Sequence, residues 1–421
     1  MLDVSRGRWR EGQTVIIKGD KIVKIGAAKR TLAPAGAQVI DAAGKALIPG
    51  LWDMHAHLGP PDGLLNLASG VTTVRDLANE PDYIDESKAR FDGNEAIGPH
   101  VFRSGFIEGR GPNSASSKIK AETESEAIAA VEFYAKRNYE GIKIYNSVKA
   151  ELVPILTKLA HERGMRVSGH VPVFMRAEDV VRAGYDEIQH INMLFLNFLV
   201  KPDTDTRTLK RFTLVGDEGP DLDLDSKEVR DFLALLRQKQ IVVDPTATVF
   251  EWAFTSSPGA ITEGLVPMAS RLPVQGRRWL LSGGLADGAG AGKAERYRAA
   301  FKHMLEMIRR LHVAKIRIVA GTDFVSGLSL HRELELYVAA GISPADVLRL
   351  ATLGSAEIMK HDQQSGSIDV GKTADLVLID GDPLADIADV GKTVTVIKAG
   401  VIFDAAALYE AVGVAPWDDR P

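Results

Sequence analysis

In "LIPGLWDMHAHLGPPDG", residues 47–63, His55 and His57 stand two positions apart at the end of a short apolar run. Pro49 and Gly50 punctuate that run, which suits a buried strand better than a helix. Side chains two apart on a strand share a face, so both imidazoles converge on one point, as two ligands of a metal ion must. One core histidine beside one loop histidine would give the same spacing. The remainder of the chain has to decide.

Five more ionisable residues occupy comparable places: Lys143 and Tyr145 in "GIKIYN", His170 in "RVSGHV", His190 in "EIQHIN" and Asp323 in "RIVAGTDF". Each sits in an apolar or small-residue run, where a charge is costly unless paired or coordinated. Lys143 is the informative one. Burial would press its amine to lose the proton, and a neutral amine can take up carbon dioxide to become a carbamate, an anion able to bridge two cations. A lysine snorkelling to the strand end is the competing reading. With the carbamate, His55, His57 and Asp323 serve one metal, His170 and His190 the other, and Lys143 lies between. Two divalent ions with N/O ligands suit zinc first, then manganese, cobalt or iron.

Positioning these groups needs a scaffold. Between residues 51 and 349, β-rich runs alternate with helical patterns such as 124–137 and 227–240. The runs are 51–57, 71–76, 100–107, 141–146, 166–171, 187–192, 241–246 and 317–324. Eight strands alternating with helices predict a parallel sheet with helical crossovers. The count and length favour a closed (β/α)₈ TIM barrel over a doubly wound open sheet. Catalytic groups of such a barrel lie at the C-terminal strand ends, where the histidines and Asp323 fall. Two connections, 193–226 and 247–293, are long enough to predict functional lids. The Gly/Ala stretch "SGGLADGAGAGK" in the second reads as a hinge or flexible tip. The chain ends have another texture: residues 14–26 read as a hairpin around Lys-Gly-Asp, and 374–382 and 392–404 as strands separated by turns.

Composition excludes several classes. The 421 residues are 45% apolar and 25% charged, with a net charge of −5, ordinary for a globular protein and lacking a nucleic-acid footprint. No apolar stretch approaches a membrane span; the longest, "INMLFLNFLV" at 191–200, reads as core or pocket wall. Cysteine is absent, which excludes disulfides and thiolate ligands. The polar N-terminus lacks a signal-peptide apolar region, which points to the cytoplasm, or to export if a leader has been removed.

"LIPGLWDMHAHLG", "GVTTVRDL", "AGTDF", "LHRELELYVAAGISPADVLRLATLGSAEIM" and "GSIDVGKTADLVLIDGDPL" together resemble the amidohydrolase superfamily. The resemblance is to the imidazolonepropionase-related branch that includes Xaa-Pro and Xaa-Arg dipeptidases. It implies an α/β fold in which a (β/α)₈ barrel, 50–363, carries a small β-sandwich built from both chain termini, 1–49 and 364–421. It also implies a small-molecule substrate and, since relatives commonly assemble, a homo-oligomer. Two places depart from dipeptidase relatives, "IYNSV" after Lys143 and "VPVFM" after His170, so peptide specificity does not carry over.

The leading expectation is a binuclear metal-dependent hydrolase that cleaves a C–N amide bond of a small peptide or N-acyl amino acid through a metal-bridging hydroxide. Asp323 would take the proton and pass it to the leaving nitrogen. Tyr145, on the strand face of Lys143, would stabilise the oxyanion or simply pack in the core. His331, at the start of a helix, would touch the site or be an ordinary surface histidine. Arg75 and Arg110 would hold a substrate carboxylate, with a structural ion pair as the alternative for each. Rival activities are lactone, ester or phosphotriester hydrolysis at the same site, and a mononuclear deaminase or cyclic-amide hydrolase that does without Lys143. A small-molecule binding barrel without chemistry is the non-enzyme rival, disfavoured because every ligand position is filled.

Overall fold

The computed structural model describes residues 1–286 and 292–417. The chain begins with two short ribbons: β1 (Leu2–Asp3) pairs with β2 (Arg8–Trp9), and β3 (Gln13–Lys18) with β4 (Lys21–Ala27). The second is the expected hairpin. Lys18 pairs with Lys21, and Gly19 makes the turn at φ 59°, a left-handed backbone that costs glycine little. Next come β5 (Ala46–Pro49) and eight parallel strands: β6 (Leu51–Ala56), β7 (Val71–Asp76), β8 (His100–Ile107), β9 (Gly141–Ile144), β10 (Arg166–Gly169), β11 (Glu187–Gln189), β12 (Val242–Asp244) and β13 (Arg317–Ile318). All eight expected strands are present, paired in chain order.

Every residue of β6, β7, β9, β11 and β12 is buried. This is the pattern of parallel strands covered on both faces, and it explains why the runs read as apolar blocks instead of alternating. Helices such as Glu124–Ala135 and Lys227–Gln238 alternate with the strands as the helical patterns anticipated. The sheet curls until its edges meet: the Met54 N–H donates to the Ala320 carbonyl at 2.8 Å, and the Asp323 N–H to the His55 carbonyl at 2.9 Å. Thr322 reinforces this seam, its hydroxyl donating to Asp53 at 2.7 Å.

The remaining strands are β14 (Leu376–Ile379), β15 (Thr393–Lys398) and β16 (Val401–Asp404). They form an antiparallel sheet in the order β16–β15–β14–β5, which joins an early strand to three late ones. Ile22, Ile368, Ala374, Leu376 and Ile397 make a small apolar core shared by this sheet and the β3–β4 hairpin. Among the described residues no helix is long and apolar enough to cross a membrane.

The two long connections are folded. Residues after β11 form the helices Ile191–Leu199 and Lys210–Glu218; those after β12 form Ala247–Thr255, Val266–Arg271 and Val274–Leu280. Of the Gly/Ala stretch read as a hinge, residues 287–291 lie outside the described residues.

Candidate metal centre

His55 is the penultimate residue of β6, Lys143 lies in β9, and His57, His170 and His190 immediately follow strands. β13 stops at Ile318, short of the expected run to 324, so Asp323 lies in the loop five residues beyond it. Parallel register brings all six to one end of the sheet. Three residues in the loops that leave strands are held at positive φ: His190 at 71°, Thr246 at 48° and Asp323 at 49°. Non-glycine residues adopt this region at a cost, and such strain persists where surrounding structure enforces it, commonly at functional sites.

Each imidazole is fastened through one ring nitrogen and presents the other inward. His55 Nδ1 lies 2.7 Å from Asp244 Oδ2, and His57 Nδ1 donates to the Ala78 carbonyl at 2.9 Å. His170 Nδ1 is 2.9 Å from Asn146 Oδ1, and His190 Nδ1 is 2.8 Å from Thr246 Oγ1. The Nε2 atoms converge. His55 Nε2 lies 3.1 Å from Lys143 Nζ, His57 Nε2 lies 3.1 Å from Asp323 Oδ1, and His170 Nε2 faces His190 Nε2 at 2.9 Å. Asp323 joins the two halves, with His55 Nε2 at 3.7 Å and His190 Nε2 at 3.9 Å. One ligand atom from each of His55, His190 and Asp323 falls within 4.8 Å of the others.

This donor set fits divalent cations. The bonds from Nδ1 of His55, His57 and His170 to oxygen acceptors leave their Nε2 lone pairs pointing inward, the usual posture of a metal-bound histidine whose second nitrogen is tied back. The Thr246 hydroxyl can hold His190 the same way. His170 Nε2 and His190 Nε2, 2.9 Å apart, are close enough to share one proton or to ligate one cation together. Electrostatics agree. Burial, reinforced by Lys143 and the neighbouring imidazoles, drives the His55 pKa well below its ordinary value, and burial does the same to His170. His190 falls to about 3, again chiefly through burial. Burial would raise Asp323, but the His57 hydrogen bond and the surrounding positive charge hold it at about 2. At neutral pH His55, His170 and His190 are therefore neutral and Asp323 is ionised, the protonation states that ligation requires. Burial also lowers the Lys143 amine to about 8.

Gly321 owes its identity to this packing. A Cβ there would lie 2.7 Å from the His55 Cβ and closer still to Asp244 Oδ1. The glycine of "AGTDF" therefore makes room for the carboxylate that orients His55.

A cavity of about 250 Å³ opens onto the centre. His57, Lys143, Tyr145, His170, His190 and Asp323 line it, and Phe106, Met193, Phe212, Val249 and Phe250 make its apolar wall. The two long connections supply Phe212, Val249 and Phe250, so they build the wall. Tyr145 stands between Phe106 and His170, its ring centroid 4.0 Å from that of His170.

Three other expected site residues lie elsewhere. Arg75 is buried in β7, where its guanidinium forms a two-pronged pair with Glu187 and donates from Nε to the Met54 carbonyl at 2.8 Å. Arg110 is exposed and pairs with Glu126 at 2.9 Å. The ion-pair alternative describes both, and neither lines the cavity. His331 is buried rather than on the surface; its Nε2 donates to the Ser69 carbonyl at 2.8 Å, and it too is absent from the lining.

Sequence reasoning missed the groups that fasten the imidazoles, Asp244, Asn146 and Thr246, and also Arg211 of the cavity wall. Asp244 carried a signal: it interrupts "IVVDPT" just as Lys143 interrupts "GIKIYN". Arg211 carried none, because it lies in an ordinary polar helix.

Known proteins set this geometry in context. Residues 293–403 match the amidohydrolase family model. A dihydroorotase of Pelobacter propionicus is 30% identical over 167 residues, which is 36% of this chain and 35% of that protein. Ochratoxinase of Aspergillus niger is 22% identical over 441 residues, 89% of this chain and 77% of that protein. The chain thus spans about a third of the dihydroorotase and most of the ochratoxinase. Among solved structures, a Xaa-Pro dipeptidase with methionine bound in its active site superposes with a TM-score of 0.69 at 18% identity, covering 96% of this chain and 97% of the other. A bottromycin amidohydrolase superposes with a TM-score of 0.70 at 21% identity, covering 95% and 86%. The chain thus carries an amidohydrolase family segment over residues 293–403 and shares the fold of these two hydrolases.

Proposed function

We propose that this protein is a binuclear metal-dependent hydrolase of C–N amide bonds, acting on a small peptide or N-acyl amino acid. The observation that carries this reading is the convergence of four tied-back imidazoles, Asp323 and Lys143 on one centre, of which all but His55 line one cavity. In this reading the curled sheet is a closed (β/α)₈ barrel over residues 50–363, sealed at the Met54–Ala320 seam. Residues 1–49 and 364–421 make the β-sandwich beside it.

His55, His57 and Asp323 would hold one ion, His170 and His190 the other, with Lys143 as a carbamate between them. A pair of divalent cations, zinc being the natural choice for this donor set, would supply a water acidic enough to attack at neutral pH and a Lewis acid for the carbonyl. The protein's own groups do the rest. Asp323, ionised and on the cavity wall, is placed to accept the proton of the attacking water and deliver it to the leaving nitrogen. Amide cleavage needs that delivery, since an amine anion is a very poor leaving group. Tyr145 offers its hydroxyl to the carbonyl oxygen as negative charge develops. Phe106, Phe212 and Phe250 exclude water from an apolar part of the substrate. The Lys143 amine, lowered by burial, supports carbamate formation, because only a neutral amine adds to carbon dioxide.

Elemental analysis combined with a panel of N-acyl amino acids, dipeptides, lactones and esters tests the proposal. Two ions per chain, falling to one or none in Lys143→Ala, with turnover of amides, is the expected result. Ester or lactone turnover without amide turnover would overturn the reaction class. One ion per chain that Lys143→Ala leaves untouched would overturn the binuclear centre.

A further inference from the structure

Four arginines invite comparison as anchors for a substrate anion, and three are already neutralised. Arg75 is bound to Glu187, Arg110 to Glu126, and Arg207 to Asp205 by bonds of 2.9 Å to each carboxylate oxygen. Arg211 differs. It is the one arginine lining the cavity, and among the described residues its guanidinium has no carboxylate or hydrogen-bond partner. Its Cζ lies 4.7 Å from the Phe212 ring centroid, a cation–π contact that steadies the side chain without consuming its donors. The backbone is anchored as well. Asn192 Nδ2, at the start of the helix that follows His190, donates to the Arg211 carbonyl at 3.0 Å.

A half-buried guanidinium beside apolar walls keeps five N–H donors and a full charge, and these are best satisfied by a carboxylate in two-pronged contact. We propose that Arg211 anchors a free carboxylate of the substrate, so that the enzyme selects amides whose leaving amine is an α-amino acid with an unblocked carboxyl group. This rests on the hydrolase reading and deepens it. With the carboxylate at Arg211 and the scissile carbonyl at the Lys143–Asp323 centre, the amino-acid side chain falls among Met193, Phe212, Val249 and Phe250, which favours an apolar one. Asn192 is a positioning residue for Arg211.

The probes are N-acetyl-L-phenylalanine and its carboxamide, which differ only in that charge. Binding is followed by calorimetry and turnover by steady-state kinetics, using the metal-loaded full chain. We expect the acid to bind about 10- to 100-fold more tightly than the carboxamide, the span of a charge-assisted contact. Arg211→Gln should erase that preference by weakening the acid alone, with KM rising more than kcat falls. Arg211→Lys should keep part of it. Equal binding of the two probes, no binding of either, or parallel weakening of both in Arg211→Gln overturns the anchor. The two readings fail separately. Acid-selective binding that depends on Arg211, without turnover of any amide, would sink the hydrolase and leave the anchor. Equal kcat/KM on both probes would do the reverse.

Discussion

Strands β6 and β14 are both buried along their whole length, yet they are used in opposite ways. β14 reads Leu-Val-Leu-Ile and spends its burial on apolar packing in the sheet of the chain ends. β6 reads Leu-Trp-Asp-Met-His-Ala and carries two ionisable groups into the interior. Each has specific partners: Asp53 accepts from Thr322 and the His55 amide, and His55 meets Asp244 and Lys143. Burial of polar groups is tolerated where every one is tied, and it then fixes their orientation and protonation state. The terminal sheet therefore contributes stability, and the mouth of the parallel sheet contributes poised chemistry.

The sharpest way to break this contrast is Asp323→Asn. It should cost about 10³-fold or more in kcat, the scale of a lost proton-transfer group, while the melting temperature moves little. Unchanged kcat would remove Asp323 from the chemistry. In β14, Leu376→Ala should do the opposite: about 2–5 kcal/mol of stability lost to a cavity, with metal content and the kcat of the remaining folded protein retained. Denaturant unfolding and elemental analysis read both sides.

His331 sharpens the comparison, because it is buried outside the centre. Burial lowers its pKa from 6.5 to about 4, so protons favour the unfolded chain. Its contribution is present above pH 6.5 and is lost as pH falls from 6.5 through 4, reaching about 3 kcal/mol. His331→Gln should flatten that part of the stability–pH curve, as urea melts at pH 4 and 7 would reveal.

Asp244→Asn tests orientation without removing a ligand. Metal affinity should fall about 10- to 100-fold, the usual cost of untying a ligating histidine, measurable by competition with a chelator. The smallest effect belongs to Arg110→Ala. Its exposed pair with Glu126 is worth under about 1 kcal/mol, and kcat/KM should not change.

Much of this was legible in the residues. Four histidines, Lys143 and Asp323 stood out because a charge inside an apolar run is expensive, and period-two geometry assigned His55 and His57 to one face. The strand runs matched the eight strands because parallel strands buried on both faces leave unbroken apolar blocks. The arginines were less legible. A guanidinium looks the same in sequence whether a carboxylate meets it or not, and Glu187 lies 112 residues from Arg75.

By itself, then, the sequence determined which residue types are buried at strand ends, since local apolar context and side-chain period are written in it. Only the tertiary structure decided which second partners those groups meet: Asp244 for His55, Glu187 for Arg75, and a cavity instead of an acid for Arg211. Such pairings depend on the register of distant strands and the path of long connections, and no local pattern encodes either.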